Sequence, residues 1–136
     1  MAVSNLIYEQ IENKNRTKIV EVKTLDEFKH RLNQMDLLIS SKMHPAVLGV
    51  SGFVPTLCIA YDHKQIGFFN ILEMPECLVE INEVTSDNLI SILDYINTNK
   101  NQLREKLQEK IPELQNVLRE TMEKSLFKLL NVESET

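Results

Sequence analysis

The chain has no tryptophan, three glycines, two cysteines and no long apolar run among its 136 residues, and each scarcity removes a class of function. Without a Gly-x-Gly-x-x-Gly or Walker-type loop, the backbone has no glycine cradle for the close approach of a dinucleotide or triphosphate. Cys58 and Cys77 match no zinc or Cys-x-x-Cys spacing and lie in apolar segments, so buried reduced thiols are expected rather than a disulfide framework, and no metal site is expected. No stretch approaches the roughly 18–20 apolar residues that cross a bilayer, and the start, Met1-Ala2-Val3-Ser4-Asn5, lacks the form of a signal peptide. No transmembrane segment is therefore expected, and the expected location is the cytoplasm. Fifteen Lys and Arg against twenty Asp and Glu give a net charge of −5, which argues against a general nucleic-acid surface, so no nucleic-acid partner is expected.

What is present alternates. Asp36–Ser40, Thr56–Tyr61 and Cys77–Ile81 have the apolar centres of buried strands, with a weaker fourth at Thr17–Val22. Helical stretches separate them. Thr24 with Glu27 forms a capping-box signature ahead of Leu25, Phe28 and Leu32, predicting a helix over Leu25–Asn33. His44-Pro45 opens a second helix with Pro45 at its first position, running to the Ser51-Gly52 stop. Ile66–Glu73 and Asp87–Asn97 supply two more, and Leu6–Glu12 reads as the tail of another. Strand, helix, strand with short connections selects an α/β domain with a parallel sheet.

After Asn99 the chain becomes charged and helix-favouring, with Leu103, Leu107, Leu114, Leu118, Met122 and Leu126 in a narrow stripe. This gives two expected regions: an α/β domain over residues 1–99 and a helical extension over 100–136 packing on it. Pro112 should break or kink the extension near Ile111. The stripe is read as packing against the sheet or a missing domain rather than as a self-assembling coiled coil. Four strands are few for an open sheet, so the α/β region is expected to be truncated, with a missing N-terminal domain, a partner chain or a homo-oligomer covering its edge.

Chemistry in such a sheet collects beyond the carboxyl ends of the strands, where helix-start amides favour anions. Two basic junctions stand there: Ser41-Lys42-Met43-His44-Pro45 after the first strand, and Asp62-His63-Lys64-Gln65 after the second. Parallel strands put both on one edge, a candidate anion pocket in an acidic chain. Each residue also has a plainer explanation: Ser41 as a helix cap, Lys42 and Lys64 as solvated charges, His63 as a loop residue, Asp62 as the start of a turn. His44 is the strongest candidate, because it sits at a helix start directly after an apolar strand. Gly49-Val50-Ser51-Gly52 has the outline of a nucleophile elbow but follows a helix rather than a strand, and is rejected.

Ser40–Leu48, then Ser51-Gly52-Phe53-Val54-Pro55, then Ile59–Phe68 with Tyr61-Asp62-x-Lys64 resembles the carboxyl-terminal part of the polysaccharide pyruvyl transferase family. The organisation is similar over Ile19–Leu118 and sharp over Asp36–Phe68. The resemblance implies a Rossmann-like half of a two-domain GT-B-like transferase, followed by long C-terminal helices. It further implies transfer of an enolpyruvyl group from phosphoenolpyruvate, a substrate rather than a cofactor, to a saccharide or lipid-linked saccharide acceptor. The product is a pyruvate ketal of cell-surface polysaccharide, and such an acceptor allows peripheral attachment at the inner membrane face. His44 would be the catalytic general acid or phosphate ligand, with Lys42, Lys64, Ser41, Asp62 and His63 binding substrate. Lys42 stands where the family usually has Arg, keeping the charge but losing the bidentate fork. Two alternatives stay open: a non-catalytic anion-binding module, and the nucleotide-sugar-binding half of a glycosyltransferase. The chain alone is expected to be inactive, because a cleft enzyme needs both walls.

Overall fold

A computed structural model describes residues 2–133, and its elements follow the alternation of the sequence. Helix α1 (Ala2–Gln10) is followed by an irregular segment with one 3₁₀ turn at Lys14–Arg16, then α2 (Leu25–Leu32), β1 (Leu38–Ser40), α3 (Met43–Ser51), β2 (Thr56–Ala60), α4 (His63–Ile71), β3 (Leu78–Glu80) and α5 (Ser86–Glu133). The three strands form a parallel sheet in the order β1-β2-β3, with Leu38 opposite Thr56, Ser40 opposite Cys58, and Cys58 opposite Leu78. The central strand is buried at Thr56, Leu57, Cys58 and Ala60, as a strand covered on both faces must be. Against it pack Ala46 and Val50 of α3, Phe69 of α4, and Ile96, Leu103, Leu107 and Ile111 of α5.

Local signals account for several boundaries. The amide of Glu27 donates to Thr24 Oγ1 at 3.2 Å, and the Glu27 carboxylate accepts from the Lys23 amide at 3.2 Å, so the capping signature starts α2 as read. Thr85 and Asn88 make a similar reciprocal pair at the start of α5, at 2.9 and 3.2 Å. Gly52 closes α3, and a Cβ there would lie 2.1 Å from Asn33 Oδ1, so the Asn33 side chain would have to move. Gly49 is similar, since its Cβ would meet Leu38 Cδ2 at 2.6 Å, and this close approach lets α3 lie on β1. Both cysteines are free and buried, and burial pushes their thiols up, Cys58 to about 11 and Cys77 to about 12.

Four expectations are corrected. The weak strand at Thr17–Val22 is not formed: the segment has no regular structure and pairs with no strand, and Ile19 and Val20 remain over 40% exposed. Helix α3 begins at Met43, not Pro45, because the Ser40 hydroxyl and Lys42 amide bond at 3.1 Å and turn the chain two residues earlier. Helix α4 begins at His63, not Ile66, because Asp62 Oδ1 accepts from the Lys64 amide at 2.9 Å and caps it there. Pro112 does not break the helix near Ile111: it lies inside a single 48-residue helix. Its ring is on the exposed side while Leu107 and Ile111 are buried against the sheet, so packing on one face outweighs a helix-interior Pro that costs about 3 kcal/mol. Lys110 adds contacts to Glu73 at 2.6 Å and Glu113 at 3.5 Å across the same turn. Helix α5 runs without interruption through Asn99 and Lys100, and no helix among the described residues is long and apolar enough to cross a membrane.

Candidate functional site at the carboxyl edge of the sheet

Because β1 and β2 are parallel, α3 and α4 both start at the edge where those strands end, each after a two-residue turn. Gln65 ties the two turns together. It is only 1% exposed; its Oε1 accepts from the Tyr61 amide at 3.0 Å, and its Nε2 donates to the Ser41 carbonyl at 3.1 Å and to Cys58 Sγ at 3.7 Å. A second bridge is electrostatic: Lys42 Nζ lies 5.5 Å from the centroid of the Tyr61 ring, so the cation of the first turn rests over the aromatic of the second. Ser40 is buried and engaged on both sides, its hydroxyl donating to the Lys42 carbonyl at 2.9 Å.

The two helix starts differ in a way that matters for charge. At α4 the Asp62 carboxylate already occupies the anion position, accepting from the Lys64 amide and lying 3.0 Å from His63 Nδ1. A second anion would be repelled there. At α3 the N-cap is Lys42, with no side-chain cap; Pro45 has no N–H, and the amides of Met43 and His44 find no acceptor among the described residues. The positive end of that helix is therefore open, with a lysine as its neighbour.

Of the residues singled out from sequence, the structure joins Ser41 to Gln65, Lys42 to Tyr61, and Asp62 to both His63 and the Lys64 amide. The His44 side chain is exposed on the second residue of α3, and His63 is 89% exposed on the first residue of α4. Sequence reasoning assigns no role to Gln65 or Tyr61. The signal for Gln65 is a polar residue near the start of a helix followed by apolar ones, and Tyr61 reads as the end of the strand.

The edge is an open shelf. Among the described residues, cavities of 280–510 Å³ lie elsewhere: beside α2, beneath α1, along α5, between α3, α4 and α5, and between Asp36, Phe53 and Arg104. Nor do any three described His, Cys, Asp or Glu residues approach closely enough to hold a metal ion. Chemically the shelf can offer a small anion two free amides, the α3 dipole and an adjacent ammonium group.

An α/β chain with a parallel sheet and an uncapped, lysine-flanked helix start at its carboxyl edge has the layout of proteins that bind small anionic substrates. The model of the polysaccharide pyruvyl transferase family matches residues 2–63, somewhat less than half of the chain. The matched span contains both turns up to His63 and ends one residue before Lys64. No curated protein and no solved structure matches the chain.

Proposed function

We propose that the chain is the carboxyl-terminal, Rossmann-like half of a GT-B-like pyruvyl transferase and that the shelf at the start of α3 receives phosphoenolpyruvate. The donor carries a phosphate and a carboxylate. One anionic group sits on the Met43 and His44 amides and the other is held by Lys42, with Lys64 adding long-range attraction from the neighbouring helix. His44 protonates the donor methylene, creating the cationic carbon that one saccharide hydroxyl attacks with loss of its proton; the C–O bond to the phosphate then breaks, inorganic phosphate leaves, and a second hydroxyl of the same saccharide attacks that carbon with loss of its proton to close the ketal. Asp62 holds His63 and keeps the α4 start closed to a competing anion, and Ser41 shapes the turn. The observation that supports this reading most strongly is the parallel pairing of β1 with β2, which sets both turns on one edge inside the span matched by the family.

The acceptor is a saccharide or a lipid-linked saccharide used in cell-surface polysaccharide synthesis, which suits a protein working at the cytoplasmic face of a membrane. The shelf is exposed, so turnover needs a second wall, supplied by another domain or chain, to exclude water and orient the acceptor. For the chain by itself the openness favours a second reading, anion binding without catalysis. Calorimetric titration with phosphoenolpyruvate separates the outcomes. Binding that falls about tenfold in Lys42→Ala and survives in Asp62→Asn supports the donor site. Equal binding by wild type and Lys42→Ala, or preference for a nucleotide sugar, removes it. Full transfer activity of His44→Ala, assayed with both walls present, would remove His44 from the chemistry while leaving the binding site intact.

A further inference from the structure

The last third of α5 carries an apolar face that the fold does not use. Leu103, Leu107 and Ile111 are buried on the sheet, but from Leu118 onward the stripe leaves it: Leu118 is 62%, Met122 64% and Leu126 56% exposed. Leu118, Met122 and Leu126 line one continuous groove together with Arg119 and Glu123. That groove joins, through Leu118, an apolar cavity of about 510 Å³ walled by Val47, Phe68, Ile71 and Leu114. We propose that this face binds a second copy of the chain, the two α5 arms running antiparallel with Met122 on the two-fold axis.

Self-complementarity identifies the occupant. About Met122, Leu118 of one arm stands level with Leu126 of the other, and Leu114 with Leu130. The charges flanking the groove follow the same symmetry: Arg119 of each arm falls two residues, about 3 Å along the axis, from Glu123 of the other, giving two cross-helix ion pairs. The charges outside the groove argue against a membrane as the occupant. Between Glu113 and Leu130 they are two cations, Lys124 and Lys128, against two anions, Glu113 and Glu120, whereas interfacial helices are enriched in cations. The area also suits a dimer. Val117, Leu118, Met122, Leu126, Leu129 and Leu130 are each more than half exposed. At roughly 100 Å² each they offer about 600 Å² per arm, and the adjoining cavity brings this towards the about 800 Å² per partner of a stable interface.

Sedimentation equilibrium of the full chain at about 100 µM tests this, with circular dichroism to confirm that each variant keeps its helix. The expected mass is twice the 15.8 kDa of one chain. Leu118→Glu should give a monomer of unchanged helicity. Arg119→Glu alone and Glu123→Arg alone should each weaken association about tenfold, and the doubly exchanged chain should recover it, since each new pair is again opposite in sign. A monomeric wild type overturns the proposal, including one that instead binds vesicles containing anionic lipid. A dimer that ignores Leu118→Glu overturns the assigned surface, and failure of the double exchange to restore association overturns the antiparallel register.

Discussion

Replacing Gln65 by Leu, which has similar volume and no polar atoms, would strand the Tyr61 amide and the Ser41 carbonyl, bonded to it at 3.0 and 3.1 Å. A net hydrogen bond is worth about 1 kcal/mol, and a stranded partner adds its own desolvation cost. Tyr61 and Ser41 are both exposed residues, so water can reach part of each abandoned group and the desolvation part stays small. The expected loss is about 2 kcal/mol, or a fall in Tm of about 7 °C for a chain of this length. Urea unfolding measures the stability. Hydrogen exchange at the Tyr61 amide, expected to accelerate by more than the global change, locates the loss in the turn. A loss under about 0.5 kcal/mol with unchanged Tyr61 exchange would refute the claim that Gln65 holds the two turns of the candidate site together.

Other outcomes follow from the same geometry. Gly49→Ala should destabilise by about 1 kcal/mol in thermal melts because Leu38 Cδ2 at 2.6 Å and the buried Thr56 Oγ1 at 3.1 Å must shift for its Cβ, whereas Gly67→Ala, with open space around it, should stabilise by up to about 1 kcal/mol. The Lys110 ammonium holds the Glu73 carboxyl below its ordinary value of 4.5. That stabilisation is present above the unfolded value and is lost as pH falls through the lower folded value; Lys110→Met should flatten the decline in Tm over this acid range and leave its other features. Ellman's reagent at pH 8 should leave Cys58 and Cys77 unmodified in the folded chain and label both once urea unfolds it, and rapid labelling of the native protein would contradict their burial.

What could be read from the chain was what is local. Thr24 with Glu27 specifies a helix start within four residues, and the apolar centre of Thr56–Ala60 requires burial on both faces whatever surrounds it. Thr17–Val22 has the composition of a strand, yet a strand exists only by pairing, and no local signal says that a partner is missing. Pro112 shows the converse: the local rule ends a helix, and burial of Leu107 and Ile111 over the preceding turns overrides it. The apolar stripe of α5 is continuous in sequence although its packing on the sheet is not, because periodicity reports a face and not what covers it. At the candidate site the basic turns were visible as residue types next to strands. Gln65 was not, since its three partners are Tyr61, Cys58 and Ser41, the last 24 positions away. The inequality of the two helix starts was hidden for a similar reason: Asp62 had several readings, and only its bond to the Lys64 amide shows that it fills the end of α4 and leaves the α3 end as the open one.

The most direct measurement is a backbone amide NMR titration of the chain with phosphoenolpyruvate. Saturable shifts centred on Met43 and His44, spreading to Lys42 and Tyr61 and diminished in Lys42→Ala, are the predicted result. Shifts centred on the capped start of α4, or none anywhere along the carboxyl edge of the sheet, would contradict it.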